Sequence, residues 1–278
     1  MKVEVVPSAA RLSGHVCWLV DDPAGYLAAA AGMLRGDSSH PRRQSMVFGP
    51  RGSTLARLAE TTAVTAADPA QAFPGGVLDP PAVAAMIRDH AQQARHMGHD
   101  GLLLVADMDW LLPLRATPAQ VTAHELRTDR LAAELDITIV CAYRRSSFSP
   151  AHIDSALAVH PSQRGDGQAP QFRLTAAGAS GWRLSGEVDI CTSDTFQAAI
   201  STVASLGDCT IDVTGLRFID VAGLRALARA ASSAPGGISL NGSSPVLRRL
   251  WQLTGLADGP SALRLDAASP DAPHAGVS

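Results

Sequence analysis

Short apolar runs alternating with helical patterns constrain this chain more than any other feature. In the first half, "HVCWLV", "QSMVF", "GLLLVA" and "DITIVCAY" are apolar-centred stretches of strand length. Between and after them run "PAGYLAAAAGML", "STLARLAETT", "PPAVAAMIRDHAQQARHMG", "TPAQVTAHELRTDRLAAEL" and "SPAHIDSALAVHP". These have helical signals. Asp22 precedes Pro23 as a cap, Pro80–Pro81 opens one helix and Gly98 stops it, and Val121, Leu126, Leu131 and Leu135 recur on one stripe. Continuous apolar strands separated by helices predict an α/β domain with a mostly parallel sheet covered on both faces.

The second half repeats the pattern on a smaller scale. "QFRLTA" and "GWRLSGEVDI" read as a hairpin, followed by the helix "TSDTFQAAISTVASL" with Thr192 or Ser193 as cap. Then come the strand "CTIDV", the helix "VAGLRALARAAS", the strand "GISLNG", the helix "SPVLRRLWQLTG" and an edge strand "ALRLD". The polar stretch "PSQRGDGQAPQ" divides the halves. The expected organisation is a first domain over 14–162, a linker over 163–170, a second mixed-sheet α/β domain over 171–266 and a disordered Ala/Pro/Ser-rich tail over 267–278.

Of the 278 residues, 46% are hydrophobic and 18% charged, a core-forming balance. The net charge of -3 leaves no basic stripe for nucleic acid and no polybasic block for an anionic membrane. Glu4 and Pro7 interrupt the N-terminus where a leader needs an apolar core. No apolar run approaches the ~20 residues that span a bilayer. A cytoplasmic protein is expected. Cys17, Cys141, Cys191 and Cys209 form no C-x-x-C pair and no Cys/His spacing that holds zinc, so no metal and no cofactor are expected. Cys17, Cys141 and Cys209 lie in apolar runs as small hydrophobes, with a Cys17/Cys141 redox pair the lesser reading.

One carboxylate interrupts the apolar stretch "LRFIDVAGLRAL". Asp220 precedes a helix whose stripe is Val221, Leu224, Leu227, Ala228 and Ala231, so it sits at the N-cap, where it accepts first-turn N–H groups. An ordinary cap of this kind contributes about 1 kcal/mol. Together, "LSGEVDICTSDTFQAAI" and "CTIDVTGLRFIDVAGLRAL" resemble the STAS domain of anti-sigma-factor antagonists over residues 172–265. The resemblance implies docking to an anti-sigma factor or kinase-fold regulator through Asp220, Val221, Ala222, Gly223 and Arg225. In that family a serine after the aspartate takes a phosphate from the partner kinase, and the phosphate releases the antagonist. Here Val221 and Ala222 stand in its place, and neither accepts a phosphoryl group. Arg217, Arg225 and Arg229 read either as a partner contact or as a solvated helix face.

In the first half, "VFGPRGSTLARL" has a strand, a glycine turn and a helix start, but not the G-x-x-x-x-G-K-[ST] spacing. Asp107, at the end of "LLLVAD", is then simply a turn residue. "HVCWLVDDPAGYLAAAAGML", "VADMDWLLP", His124–Glu125 and "IVCAYRRSSFSPAHIDSALAVHP" resemble the MEDS domain, a sensory domain of methanogens and methylotrophs. His15, Cys17, Asp109, Trp110, Glu125, Cys141, Tyr143, Phe148, His160 and Pro161 match its pattern, while Ala142 and Arg144 depart from it. The resemblance implies a RecA/KaiC-like core without a phosphate loop, and sensing of a small, weakly polar ligand rather than catalysis.

Strand ends are the natural ligand site in an open parallel sheet. Trp110 and Tyr143 both follow strand ends, and His15 and Glu125 supply polar groups, so the four are candidate ligand contacts. Each also has an ordinary reading: His15 at a strand start, Trp110 as a core plug, Glu125 facing water. His96 and His99 at a helix end lack a third ligand. No G-x-S-x-G, H-E-x-x-H or dinucleotide fingerprint occurs. The expectation is a non-enzymatic signalling regulator in which a sensory domain acts on a protein-binding module. The alternatives are an ATP-binding enzyme with a degenerate phosphate loop and a ligand-free scaffold.

Overall fold

The computed structural model describes residues 13–35, 43–62, 64–72, 76–178, 180–207, 209–256 and 262–266. The leader reading at Glu4 and Pro7 and the tail over 267–278 lie outside them.

The first half is built in the order β1 (His15–Val20), α1 (Pro23–Leu34), β2 (Arg43–Phe48), α2 (Thr54–Thr62), β3 (Thr65–Ala67), α3 (Pro80–His96), β4 (Gly101–Asp107), α4 (Pro118–Leu135), β5 (Thr138–Arg144), α5 (Pro150–Leu157) and β6 (Ser162–Arg164). Among the described residues its strands make one sheet in the order β3-β2-β4-β5-β1-β6, with every neighbouring pair parallel. β6 adds a sheet edge at 162–164, where the sequence reads as the start of a linker. Strand alternation divides the apolar residues between two cores. Cys17, Leu19, Ile139, Cys141 and Tyr143 point to the side covered by α3, α4 and α5. Val16, Trp18, Val20, Val140 and Ala142 point to the side covered by α1 and α2. That double cover is why the strands read as unbroken apolar runs.

The helix starts follow local chemistry. Asp22 accepts from the N–H groups of Ala24 and Gly25, with Pro23 in the first turn of α1. α4 opens with a reciprocal box in which Thr117 accepts from Gln120 N and Gln120 accepts from Thr117 N.

The second half runs β7 (Phe172–Ala177), β8 (Gly181–Val188), α6 (Ser193–Ser205), β9 (Cys209–Ile219), α7 (Val221–Ser233), β10 (Ile238–Asn241), α8 (Pro245–Leu253) and β11 (Leu263–Leu265). Among the described residues its sheet order is β11-β10-β9-β8-β7, and only β7 and β8 pair antiparallel. Gly186 sits at φ +92°, where a Cβ would fall 2.2 Å from the Gln171 carbonyl oxygen, so glycine alone lets β7 and β8 close. Trp182, Phe196, Ile200 and Leu227 are buried in its core. Thr192 holds the N-cap position of α6, but neither cap candidate for that helix makes a side-chain cap bond. The Thr192 hydroxyl donates to Asp189 O. Ser193 donates to Ile190 O. Ser243 is buried, and its N–H donates to Asp266. Ser244 caps α8, accepting from Leu247 N.

The halves share a core. Leu126 of α4, Ala158 and Val159 pack with the second-half residues. Leu174 N donates to Ala158 O, Arg173 donates to the His160 and Pro161 carbonyls, and the Arg130 guanidinium lies 5.1 Å from the Trp182 ring. Among the described residues no helix is long and apolar enough to cross a membrane.

Candidate functional site

Four side chains from separate elements converge beneath α4. β1 contributes His15, α4 contributes Glu125, β5 contributes Cys141, and His160 follows α5. All four are buried. β1 and β5 are register neighbours, with Cys17 opposite Cys141, so alternation puts His15 and Cys141 on the same sheet face. α4 lies across that face and lowers Glu125 onto it.

Glu125 is the hub. Its Oε2 accepts from His15 Nε2 at 3.1 Å and from Cys141 Sγ at 3.5 Å, while its Oε1 accepts from the Tyr143 hydroxyl. His15 Nε2 also lies 3.4 Å from Cys141 Sγ. His160 Nε2 is 3.6 Å from Glu125 Oε2, and its Nδ1 donates to Ala156 O at 2.7 Å. The His15 and His160 rings stack at 3.8 Å.

The charges follow from this packing. Burial works against an imidazolium at His15, but the Asp129 carboxylate beside it and the hydrogen bond to Glu125 outweigh it and lift the group to about 9. Burial also works against charge on Glu125, yet the imidazoles around it hold the carboxyl well below its usual range. His160 is itself pushed down to about 3 by burial and by His15, so it is neutral. The cation that stabilises Glu125 is therefore His15. Burial, and then Glu125, pushes the Cys141 thiol and the Tyr143 hydroxyl up. Burial pushes the Cys17 thiol up as well. Both thiols of the considered redox pair are thus protonated and sealed from solvent.

His15, Glu125 and Tyr143 stand in direct contact. Trp110 does not join them. Its ring packs edge-on against Phe48 at 6.1 Å and His124 at 5.3 Å. The constellation also lies on the sheet face under a helix rather than at the open strand ends. A cavity of about 160 Å³ does open at the carboxyl ends, walled by Tyr26, Ser53, Arg57, Asp107 and Arg144, with none of the four candidates in its lining. There Asp107 accepts from Asp109 N, and Arg144 pairs with Asp109. Arg51 points outward toward Asp68.

Asp129 is a member of the candidate site that the sequence reading misses. It stands one helical turn after Glu125 on α4, an i, i+4 step that was the available signal. Its Oδ1 lies 3.5 Å from His15 Nδ1, and its Oδ2 accepts from Ala176 N of β7 at 2.6 Å. It bridges the buried cluster to the second domain. Removing it in Asp129→Ala is expected to cost about 1.5–3 kcal/mol, the loss of a hydrogen bond to a charged acceptor. Urea unfolding checks this, and an unchanged midpoint would contradict it.

At the far end of the second domain, Asp220 precedes α7 and accepts from Gly223 N at 2.8 Å. Its own N–H donates to Val188 O, tying the cap to β8. A Cβ on Gly223 would fall 2.7 Å from Ile219 and 2.9 Å from Val188, so glycine is needed for α7 to start so close to the sheet. Val221 is 37% exposed, and Phe218 and Ile190 at the same sheet end are 52% and 72% exposed. Ala222 is half-buried and Arg225 exposed. Arg217 pairs with Glu187, and Arg229 donates to Gln197.

Two family models match the chain. One, described as the methanogen/methylotroph DcmR sensory domain (MEDS), covers residues 14–161. The other, described as Mlab, STAS domain, covers residues 174–265. No curated protein matches the chain.

Proposed function

The chain belongs to the MEDS sensory-domain family and carries a STAS domain behind it, and from that premise we propose that it is a cytoplasmic, non-catalytic signalling regulator. Its second domain acts as an anti-sigma-factor antagonist that docks a kinase-fold partner through Asp220, Val221, Ala222, Gly223 and Arg225. It lacks the phosphoacceptor, so control passes to the first domain. The stimulus is a small, weakly polar molecule whose binding to the first domain shifts α4 and, with it, the Glu125 cluster.

The observation that carries this reading is the bridge through α4. Glu125 sits in the buried cluster, and Asp129 on the same helix links His15 to the Ala176 amide of the second domain. A shift of α4 that reshapes the cluster must strain or release that contact. A ligand with different affinity for the two arrangements would shift their populations. Exposed Ile190, Phe218 and Val221 beside the Asp220 cap supply the apolar part of the docking surface.

His15→Gln tests the coupling. It removes the cation between Glu125 and Asp129 without touching the second domain. Faster amide exchange at Ala176 and along β7 in the folded variant is the expected outcome. Exchange that quickens around Glu125 but is unaltered throughout residues 172–265 would refute the coupling.

A further inference from the structure

We propose that His15, Glu125, Cys141 and His160 form a closed tetrahedral site for a zinc-class divalent cation. Zinc bonds nitrogen and oxygen at about 2.0–2.2 Å and sulfur at about 2.3 Å, so the edges of its coordination tetrahedron are about 3.3–3.6 Å long. Four of the six donor pairs already stand near such spacings. His15 Nε2 is 3.1 Å from Glu125 Oε2 and 3.4 Å from Cys141 Sγ. Glu125 Oε2 is 3.5 Å from Cys141 Sγ and 3.6 Å from His160 Nε2, and the whole set lies within 4.8 Å.

Three further features fit a cation. First, His160 Nε2 is fully buried, has no hydrogen-bond partner and faces the other donors. Second, the surroundings orient three of the four ligands as metal sites require. His160 gives its Nδ1 proton to Ala156 O, which leaves the Nε2 lone pair for the metal. Asp129 stands behind His15 Nδ1, a carboxylate–histidine–metal arrangement. Tyr143 occupies Glu125 Oε1 and frees Oε2. Third, the charge closes. One thiolate, one carboxylate and two neutral imidazoles balance a divalent ion, so the buried centre is neutral. Binding releases the Cys141 thiol proton and the second His15 ring proton to solvent.

Two imidazoles with one sulfur and one carboxylate suit zinc or cobalt better than magnesium or calcium, which take oxygen ligands. With four protein donors no coordination position is left open, which marks a holding site rather than a hydrolytic one. The proposal goes beyond the signalling reading and is read out on the chain alone, so failure of partner docking leaves it standing.

The full chain is expressed in zinc- or cobalt-supplemented medium, purified by gel filtration and analysed for metal. The expected result is one equivalent per chain. The cobalt form should show a sulfur-to-cobalt charge-transfer band and intense tetrahedral visible absorption. Cys141→Ser loses the charge-transfer band, His160→Gln loses retained metal, and Cys191→Ser, at an exposed cysteine, keeps both. A wild-type chain without bound zinc or cobalt overturns the proposal. So does cobalt bound without the sulfur band, or a Cys141→Ser chain that keeps that band. The wild-type measurements decide the matter even if a variant does not fold.

Discussion

Glu125→Ala is expected to destabilise the metal-free chain by about 3–5 kcal/mol, the cost of removing one partner from a buried ion pair. The carboxylate is fully buried and accepts from His15, Cys141 and Tyr143. Its loss leaves the His15 imidazolium and the Tyr143 hydroxyl without that acceptor, in a space that water does not reach. The exposed pair of Arg217 and Glu187 is the contrast. Its side chains are 56% and 51% exposed, so Glu187→Ala should cost only about 0–1 kcal/mol. Urea unfolding of both variants after chelation measures the difference. Equal midpoints would mean that the cluster is no more than a set of individually weak contacts.

Val221→Ser is expected to restore a covalent switch. Val221 is the first residue of α7 and is partly exposed beside the Asp220 cap. A serine there presents its hydroxyl at the proposed docking surface, open to phosphate transfer from the proposed kinase-fold partner. The added phosphate brings about 1.5–2 negative charges next to a carboxylate already committed to Gly223 N. The helix start itself tolerates an anion, so the second domain stays folded and the effect falls on docking. With ATP, the serine variant should be phosphorylated and should bind its partner at least about tenfold more weakly, roughly 1.4 kcal/mol. Val221→Glu should show the weakening without ATP. A serine variant that stays unmodified by a partner it binds would contradict the assignment of this loop.

Most of the architecture was legible because both sheets follow hydrophobic period and cap chemistry. β1 and β5 are buried on both faces and read as unbroken apolar runs. β9 is the instructive exception. "CTIDV" marks only its start, because Thr214 and Gly215 interrupt the apolar pattern. The strand continues to Ile219 because β8 follows it through two register shifts, which no local pattern reports.

Three members of the buried cluster and its surroundings stood out in the sequence, but the constellation did not. His15, Glu125 and Tyr143 stood out one at a time, but Cys141 and His160 lie on different elements. A search for Cys/His pairs at short spacing cannot bring positions 15, 125, 141 and 160 together; only the pairing of β1 with β5 and the seating of α4 do so. Trp110 shows the converse. Its place after β4 fixes where the chain leaves the sheet but not where the ring turns, and it packs on Phe48 and His124.

Calorimetric titration of the full chain with kinase-fold anti-sigma factors of its own organism, with and without magnesium-ATP, reaches the proposed function most directly. The account predicts a complex of the same affinity in both conditions, with no phosphate gained by the chain. A wild-type chain that binds none of them, or one that ATP modifies and releases, would contradict it.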